Sequence, residues 1–223
     1  FQSKMNTIGG DVLVGINKAI DLAEKEYNGL VIGNQGANFS VGANIGMIFM
    51  MAVEQEYDEL NMAIKMFQDT MMRVRYSSIP VIVAPHGMTL GGGCEFTMHS
   101  DKAVASAESY IGLVEVGVGI IPAGGGTKEF ALRASDSYFD GDVQLPTLQK
   151  RFTDIAMAKV STSAHEAFDL GILRKGHDFV VMNQNRLLAE AKSSILKMVE
   201  EGPLGHARSF TEFVNQGGGG GGC

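Results

Sequence analysis

The residues best suited to chemistry stand together in one short stretch, Leu90-Gly91-Gly92-Gly93-Cys94-Glu95. Three consecutive glycines permit positive φ angles and let a second molecule approach the backbone closely. Glu95 follows them where a helix is expected to open, and the free N–H groups of a helix start stabilise developing negative charge. This arrangement favours a catalytic site. The structural alternative is a tight strand-to-helix turn whose glutamate complements the helix dipole.

Short apolar runs and amphipathic stretches alternate around this turn. The β-branched run at 79–84 predicts a buried strand before it, and 30–33 predicts a similar strand before a glycine-bearing loop at 34–44. Both loops lead into apolar helices, so we expect N–H donors from the two loops to converge on one oxygen. Further strands are expected at 102–105 and 110–113, and helices at 11–23, 45–53, 60–74, 127–134 and 183–201. The pattern predicts the α/β class with a largely buried sheet.

Composition limits the classes of partner. The 223 residues are 45% hydrophobic and 19% charged, enough for one large domain or two small ones. A net charge of −7 without a basic stripe argues against nucleic acid as the main partner. The apolar run at 45–53 is too short to span a bilayer, so no membrane span is predicted. Cys94 and Cys223 have neither disulfide-type nor metal-type spacing, which predicts a reducing compartment, the cytoplasm.

Several known motifs are absent. Phe96 occupies the third glycine position of a dinucleotide-binding fingerprint, and Gly126-Thr127-Lys128 has the wrong order for a P-loop. Ser40 lacks the first glycine of a nucleophile elbow, which makes a serine hydrolase the weakest alternative. The five histidines are scattered and are expected to serve packing or to lie on the surface. The methionines of 47–51 and 66–72 are expected to be helix faces packed in a core.

Three stretches together resemble the crotonase superfamily, also called enoyl-CoA hydratase/isomerase. The first, Asn38-Phe39-Ser40-Val41-Gly42-Ala43-Asn44, is similar to the F-x-x-G-A-D loop of that family. The second, 87–95, is similar to its G-x-x-x-G-G-G-x-E motif, and the third, 111–127, to its G-x-P-E … P-G-x-G-G-T segment. The resemblance covers roughly residues 1–200. It is strongest to the hydratase part of a fused 3-hydroxyacyl-CoA dehydrogenase/enoyl-CoA hydratase.

The resemblance implies a fold and a domain organisation. The expected fold is a crotonase-like spiral of ββα units with C-terminal helices, assembled as a homotrimer or a dimer of trimers. The strand pair that usually precedes the segment matching Phe1 is missing, so we expect a fragment of a longer chain. We divide the sequence into a core with the active site (1–134), an acidic surface excursion and connector (135–155), a C-terminal helical part (156–202), and a flexible glycine-rich tail, a linker or scar (203–223).

The resemblance also implies a site. Glu95 and Glu115 are the expected catalytic carboxylates, and the backbone N–H groups of Ala43 and Gly92 are the expected oxyanion hole. The implied substrate is an acyl-CoA thioester, with no cofactor beyond the coenzyme A it carries and with no metal. A fused or associated 3-hydroxyacyl-CoA dehydrogenase is the expected protein partner. Substrate contacts are expected at Asn38, Phe39, Val41, Gly42 and Gly91.

Hydration of trans-2-enoyl-CoA in fatty-acid β-oxidation is the leading expectation, because hydratases of this family keep both carboxylates. Isomerisation or thioester hydrolysis at the same site, and a truncated non-catalytic crotonase module, remain as alternatives. Three positions depart from the family pattern. They are Asn44 in place of Asp, Val114 in place of Pro, and Ala123 in place of Gly.

Overall fold

A computed structural model describes residues 3–202, and helices alternate with parallel strands along most of this range. The predicted α/β class is confirmed. The strands are β1 (Leu30–Ile32), β2 (Val81–Val83), β3 (Gly87–Leu90), β4 (Lys102–Ser106), β5 (Ser109–Gly112) and β6 (Phe179–Val181). The helices are α1 (Gly10–Glu26), α2 (Ile45–Val53), α3 (Tyr57–Arg75), α4 (Gly92–His99), α5 (Gly126–Ser135), α6 (Leu145–Ala156), α7 (Ala164–Asp169) and α8 (Leu187–Glu200).

The central sheet is parallel and has the strand order β1-β2-β4-β6. One of its two inner strands, β2, is a continuous β-branched run that is buried throughout, as expected for a parallel sheet covered on both faces. Val81 and Val83 pack with residues of α1 and α3, whereas Ile82 packs with residues of α8. Successive side chains of a strand point to opposite faces, so this single strand supplies two core layers.

A second, two-stranded parallel sheet positions the site. Its strands, β3 and β5, pair Leu90 with Gly112, and the Gly91 N–H continues the ladder by donating to the Gly112 carbonyl at 2.9 Å. Ser40 forms a parallel bridge with Thr89 and accepts from the Leu90 N–H at 2.9 Å. Three distant stretches of sequence therefore lie side by side at the point where β3 and β5 end. The sequence predicted no separate strand at β3.

Helix α2 forms where it was predicted, but the prediction that the methionines at 47–51 pack in a core is wrong. No residue of α2 is buried within the described part of the chain, and the Phe49 side chain is 65% exposed. The reason is that α2 packs along α3 and lies outside the sheet layers. By contrast, Met71 of the second methionine-rich stretch is fully buried between α3 and the sheet.

The chain between α5 and α6 is a succession of turns with mostly exposed residues. The division of the chain at 134, 155 and 202 stays a prediction, and the expected tail at 203–223 lies outside the described residues. Among the described helices, none combines the length and the apolarity that crossing a bilayer requires.

Candidate active site

The glycine turn leaves β3 and opens α4. Gly91 has φ 51° and ψ −119°, a conformation that residues with a Cβ avoid. A Cβ at Gly91 would also lie 2.9 Å from Glu115 Oε1, so the turn must be bare for this carboxylate to approach. Gly92 is the first residue of α4, and its N–H donates to no acceptor among the described residues. It is therefore available to an oxygen that enters the site.

The loop carrying Ala43 touches this turn. A Cβ at Gly42, where φ is +88°, would lie 3.1 Å from the Gly92 nitrogen. The Gly42 carbonyl accepts from the Ile8 N–H at 2.8 Å, which fixes the peptide that precedes Ala43. Within residues 3–202 the Ala43 N–H has no acceptor either. The Ala43 and Gly92 N–H groups, which come from separate loops and have no acceptor among the described residues, therefore lie on adjoining stretches of backbone.

Asn38 and Phe39 have structural contacts. The Asn38 Oδ1 atom accepts from the Met88 N–H at 2.9 Å and so holds the loop on β3. The Phe39 side chain is 1% exposed and packs edge-on against the His86 ring. Their assignment to the substrate, like those of Val41, Gly42 and Gly91, stays a prediction.

The three departures from the family pattern fit locally. Asn44 caps α2, with its Oδ1 atom accepting from the Met47 N–H at 3.3 Å. Val114 has φ −108°, well outside the range near −65° that a proline ring imposes. The Ala123 carbonyl accepts from Gln68 Nε2 at 2.7 Å, and its φ is not positive, so no glycine is required there.

Glu95 lies in the first turn of α4 and is 2% exposed. Its Oε1 atom accepts from the Gly126 N–H at 2.9 Å, at the N-terminus of α5. Burial, and next the nearby Glu115 carboxylate, raise the pKa of Glu95 to about 7, against the opposing hydrogen bonds from the N–H groups of 124–126. A carboxyl group with a pKa near neutrality can both take and give a proton at physiological pH.

Glu115 begins a short 3₁₀ helix, Glu115–Val118, three positions after the last residue of β5, and it is buried. Burial is also the main cause that raises the pKa of Glu115. Its Oε2 atom is buried and has no hydrogen-bond partner among the described residues, which is costly unless a ligand or water supplies one. Neither Glu95 nor Glu115 forms an ion pair in the described part of the chain.

A third buried carboxylate, Glu129, was not predicted from the sequence. It lies on α5, one turn beyond the N–H groups that hold Glu95, and is 1% exposed. Its carboxylate contacts three cationic side chains and the His99 ring. Burial favours the neutral carboxyl group, but the nearby basic groups outweigh it and hold the pKa of Glu129 below its usual range. The contacts are Arg75 Nη1 at 2.8 Å, Lys128 Nζ at 2.9 Å, His99 Nε2 at 3.6 Å and Arg133 Nε at 3.6 Å.

His99 connects the two regions. Its Nδ1 atom lies 2.7 Å from the backbone carbonyl of Glu95, one turn earlier on α4, and its Nε2 atom faces Glu129. Burial lowers the pKa of His99 to about 4, so the ring is neutral at pH 7. A neutral ring that donates from Nδ1 leaves Nε2 without a proton. The only sequence signal for this cluster was the i,i+4 spacing of Glu129 and Arg133.

Comparisons with known proteins show the family to which the chain belongs. The sequence model of the family described as enoyl-CoA hydratase/isomerase matches residues 2–217. A "Probable 3-hydroxyacyl-CoA dehydrogenase" of Bacillus subtilis is 45% identical over 202 residues, which are 91% of this chain and 25% of that protein. A "Putative fatty acid oxidation complex trifunctional enzyme" of Rickettsia felis is 37% identical over 132 residues, 59% of this chain and 18% of that protein. The chain therefore spans about a quarter or less of these relatives.

Solved structures share the fold. The enoyl-CoA hydratase of Bacillus anthracis superposes with a TM-score of 0.71 at 25% identity, covering 89% of this chain and 70% of that one. A putative enoyl-CoA hydratase/isomerase (crotonase) of Legionella pneumophila gives a TM-score of 0.74 at 20% identity, covering 98% and 77%. The predicted crotonase-like fold is confirmed. With the family match over nearly the whole length, the chain belongs to the enoyl-CoA hydratase/isomerase family.

Proposed function

We propose that this chain hydrates trans-2-enoyl-CoA thioesters to 3-hydroxyacyl-CoA. The observation that carries the proposal is the pair of buried carboxylates, Glu95 and Glu115, which have raised pKa values and no cationic partner within the described residues. The pair adjoins two backbone N–H groups without acceptors. Family members that shift a double bond often keep only the carboxylate corresponding to Glu115, whereas hydratases keep both.

The oxyanion hole consists of the Ala43 and Gly92 N–H groups. When water adds to C3 of a 2-enoyl thioester, the electron pair of the double bond moves toward the thioester carbonyl, which becomes an enolate oxygen. Preorganised N–H donors stabilise that charge, and the loss of one such donor typically costs about 3 kcal/mol. The N-terminus of α4, which supplies Gly92, adds its dipole in the same sense.

The two carboxylates divide the proton transfers. Both hold the attacking water; Glu95 takes its proton as oxygen bonds to C3, and Glu115 delivers a proton to C2 as the enolate collapses. The unpartnered Oε2 of Glu115 suits this role because it requires a hydrogen that the protein itself does not provide. Proton exchange with solvent between turnovers restores both groups, so the reaction consumes only water and substrate.

The setting of the reaction is also a proposal. The named relatives include a probable 3-hydroxyacyl-CoA dehydrogenase and fatty-acid oxidation enzymes. These names support a role in fatty-acid β-oxidation, with a fused or associated dehydrogenase that consumes the 3-hydroxyacyl-CoA product. We also propose that the chain assembles as a homotrimer or a dimer of trimers, and that it is located in the cytoplasm.

Product analysis tests the proposed reaction. Purified protein is incubated separately with trans-2-enoyl-CoA and trans-3-enoyl-CoA, and the thioesters are analysed by mass spectrometry. We expect trans-2-enoyl-CoA to gain the mass of one water. Interconversion of the two isomers without a change of mass would instead show an isomerase, and release of free coenzyme A would show thioester hydrolysis. If no conversion occurs and calorimetry detects no acyl-CoA binding, the chain is a non-catalytic module.

A further inference from the structure

Two apolar side chains from different elements enclose the Glu95 carboxylate. A Cβ at Gly126 would lie 2.7 Å from Leu113 Cδ1 and 3.2 Å from Glu95 Oε1, so Leu113 borders one carboxylate oxygen. A Cβ at Gly124 would collide with both Phe67 Cε1 and Glu95 Oε2, so the Phe67 ring borders the other. Leu113 belongs to a buried core cluster, whereas Phe67 is only partly buried. Of these two apolar neighbours of the Glu95 carboxylate, the Phe67 ring is therefore the one nearer to solvent.

The position of Phe67 is determined by α3 and by two bare glycines. It shares a helix face with the buried Met71 and Val74, four and seven residues later, which pack toward the sheet. Its ring packs edge-to-face on Phe96 of α4, with centroids 6.0 Å apart. A Cβ at Gly92 would lie 2.6 Å from Phe67 Cζ, so the ring reaches the site only because Gly92 and Gly124 carry no side chain.

We propose that the Phe67 ring is a water shield that excludes solvent from the Glu95 carboxyl group and so maintains its affinity for a proton. An apolar wall disfavours the charged form of a carboxyl group, because the wall replaces water that would solvate the charge. Phe67 acts through Glu95 and is therefore a positioning residue. Its effect on catalysis rests on the proposed hydration, whereas the shielding itself does not.

Of the titratable groups around Glu95, Arg75 lies on α3 with Phe67, and the remaining ones named here lie on other elements. The buried Cys94 thiol and the Glu115 carboxylate interact electrostatically with the Glu95 carboxylate, and His99 forms a hydrogen bond with the backbone carbonyl of Glu95. Behind His99, Glu129 is surrounded by basic side chains. Replacing Phe67 changes the access of water without changing any of these charges. The other charged groups facing this region are Arg75 on α3, and Lys128 and Arg133 on α5.

A titration of the Glu95 carboxyl group tests the shield. Protein labelled with ¹³C at glutamate side-chain carboxyl carbons is titrated by NMR, and the Glu95 signal is identified by its loss in Glu95→Gln. In the unsubstituted protein we expect a midpoint near pH 7. In Phe67→Ala the midpoint should fall by about one pH unit or more, because water then solvates the carboxylate. Phe67→Leu keeps part of the wall and should give a smaller fall.

Phe49→Ala is the matched control, because Phe49 lies on the neighbouring helix α2 and is largely exposed. Its midpoint should equal that of the unsubstituted protein. An unchanged midpoint in both Phe67 variants, with an intact fold by circular dichroism, would overturn the shield. The same variants are assayed with trans-2-enoyl-CoA, where the acidic limb of the kcat pH profile should move down with the midpoint. If the midpoint shifts in a protein that does not hydrate enoyl-CoA, the proposed function is refuted and the shield stands. If the protein hydrates enoyl-CoA but the midpoint does not shift, the shield is refuted and the proposed function stands.

Discussion

Glu95 and Glu129 are both glutamates with almost no exposed surface. Glu95 accepts a hydrogen bond from the first N–H group of α5, and Glu129 lies in the first turn of the same helix. Yet burial raises the pKa of Glu95, whereas the basic groups around Glu129 lower its pKa. The difference lies in what each carboxylate contacts. Glu95 has backbone N–H groups, apolar walls and a second carboxylate, and Glu129 has Arg75, Lys128 and Arg133.

This contrast teaches how one small region can hold a structural carboxylate beside a reactive one. Fixed cations stabilise the ionised form of Glu129. Its carboxylate therefore links side chains from α3, α4 and α5. Neutral donors hold Glu95 in place without cancelling the cost of burying its charge, which leaves its proton exchangeable. His99 lies between the two, bonded to the Glu95 backbone and facing the Glu129 carboxylate.

The largest change in stability should come from Glu129→Gln. Removing the charge leaves the three cations without their shared partner, and breaking a buried ion pair from one side typically costs about 3–5 kcal/mol. Because the folded-state pKa of Glu129 is lowered, the contribution of this ion pairing is present above the unfolded-state pKa and is lost as the pH falls through the folded-state value. Urea unfolding at pH 7 and at progressively lower pH measures both effects.

Asp69→Asn is the control for this prediction. Asp69 pairs with Lys65 at 2.8 Å on the exposed face of α3, and such exposed pairs contribute about 1 kcal/mol or less. If Glu129→Gln were no more destabilising than Asp69→Asn, the assignment of Glu129 as a structural ion-pair centre would be wrong.

Glu95→Gln should change stability in the opposite direction. The folded-state pKa of about 7 lies above the ordinary value of 4.5, so the favourable contribution is complete below pH 4.5 and is lost as the pH rises through 7. Glutamine imitates the protonated form and avoids this loss. Because a tenfold change in proton affinity corresponds to about 1.4 kcal/mol, we expect Glu95→Gln to be more stable than the unsubstituted protein by about 3 kcal/mol at pH 8. At pH 4.5 the two should be nearly equal, as urea unfolding can determine, and lower stability of the variant at pH 8 would contradict this.

A smaller effect is expected from Gly124→Ala, which tests the close packing around Glu95. The added Cβ would collide with Glu95 Oε2 and with the Phe67 ring, and overpacking of this kind typically costs about 1–3 kcal/mol. Gly10→Ala is the matched control, since Gly10 begins α1 and a Cβ there meets no atom within 4 Å. Thermal unfolding of the two variants should differ accordingly. Equal midpoints would show that the walls around Glu95 yield easily.

The sequence predicted the parts of the site that depend on local pattern. The glycine turn before Glu95, the loop of Ala43 and the position of Glu115 each have a recognisable run of residues, and the structure places these runs side by side. The helix at 45–53 was also predicted, because a continuous apolar run defines it locally.

The parts that depend on long-range packing could not be predicted. Glu129 contacts Arg75 of α3 and His99 of α4, and the spacing of these residues in the sequence does not predict these contacts. The sequence pattern gives Phe67 as one apolar residue of an amphipathic helix, and its role near Glu95 depends on the space that Gly92 and Gly124 leave for its ring. The exposure of α2 depends on which layers cover it, which its own composition does not reveal.

The most direct test is the steady-state rate of crotonyl-CoA hydration by Glu95→Gln and by Glu115→Gln. It asks whether these two carboxylates, which have no cationic partner among the described residues, perform the proton transfers. Positioned acid–base groups contribute typically about 10²- to 10⁴-fold, so each variant should lose activity by that order in kcat while KM changes little. Asp69→Asn, measured beside them, should retain the activity of the unsubstituted protein. Full activity in either glutamine variant would contradict the account.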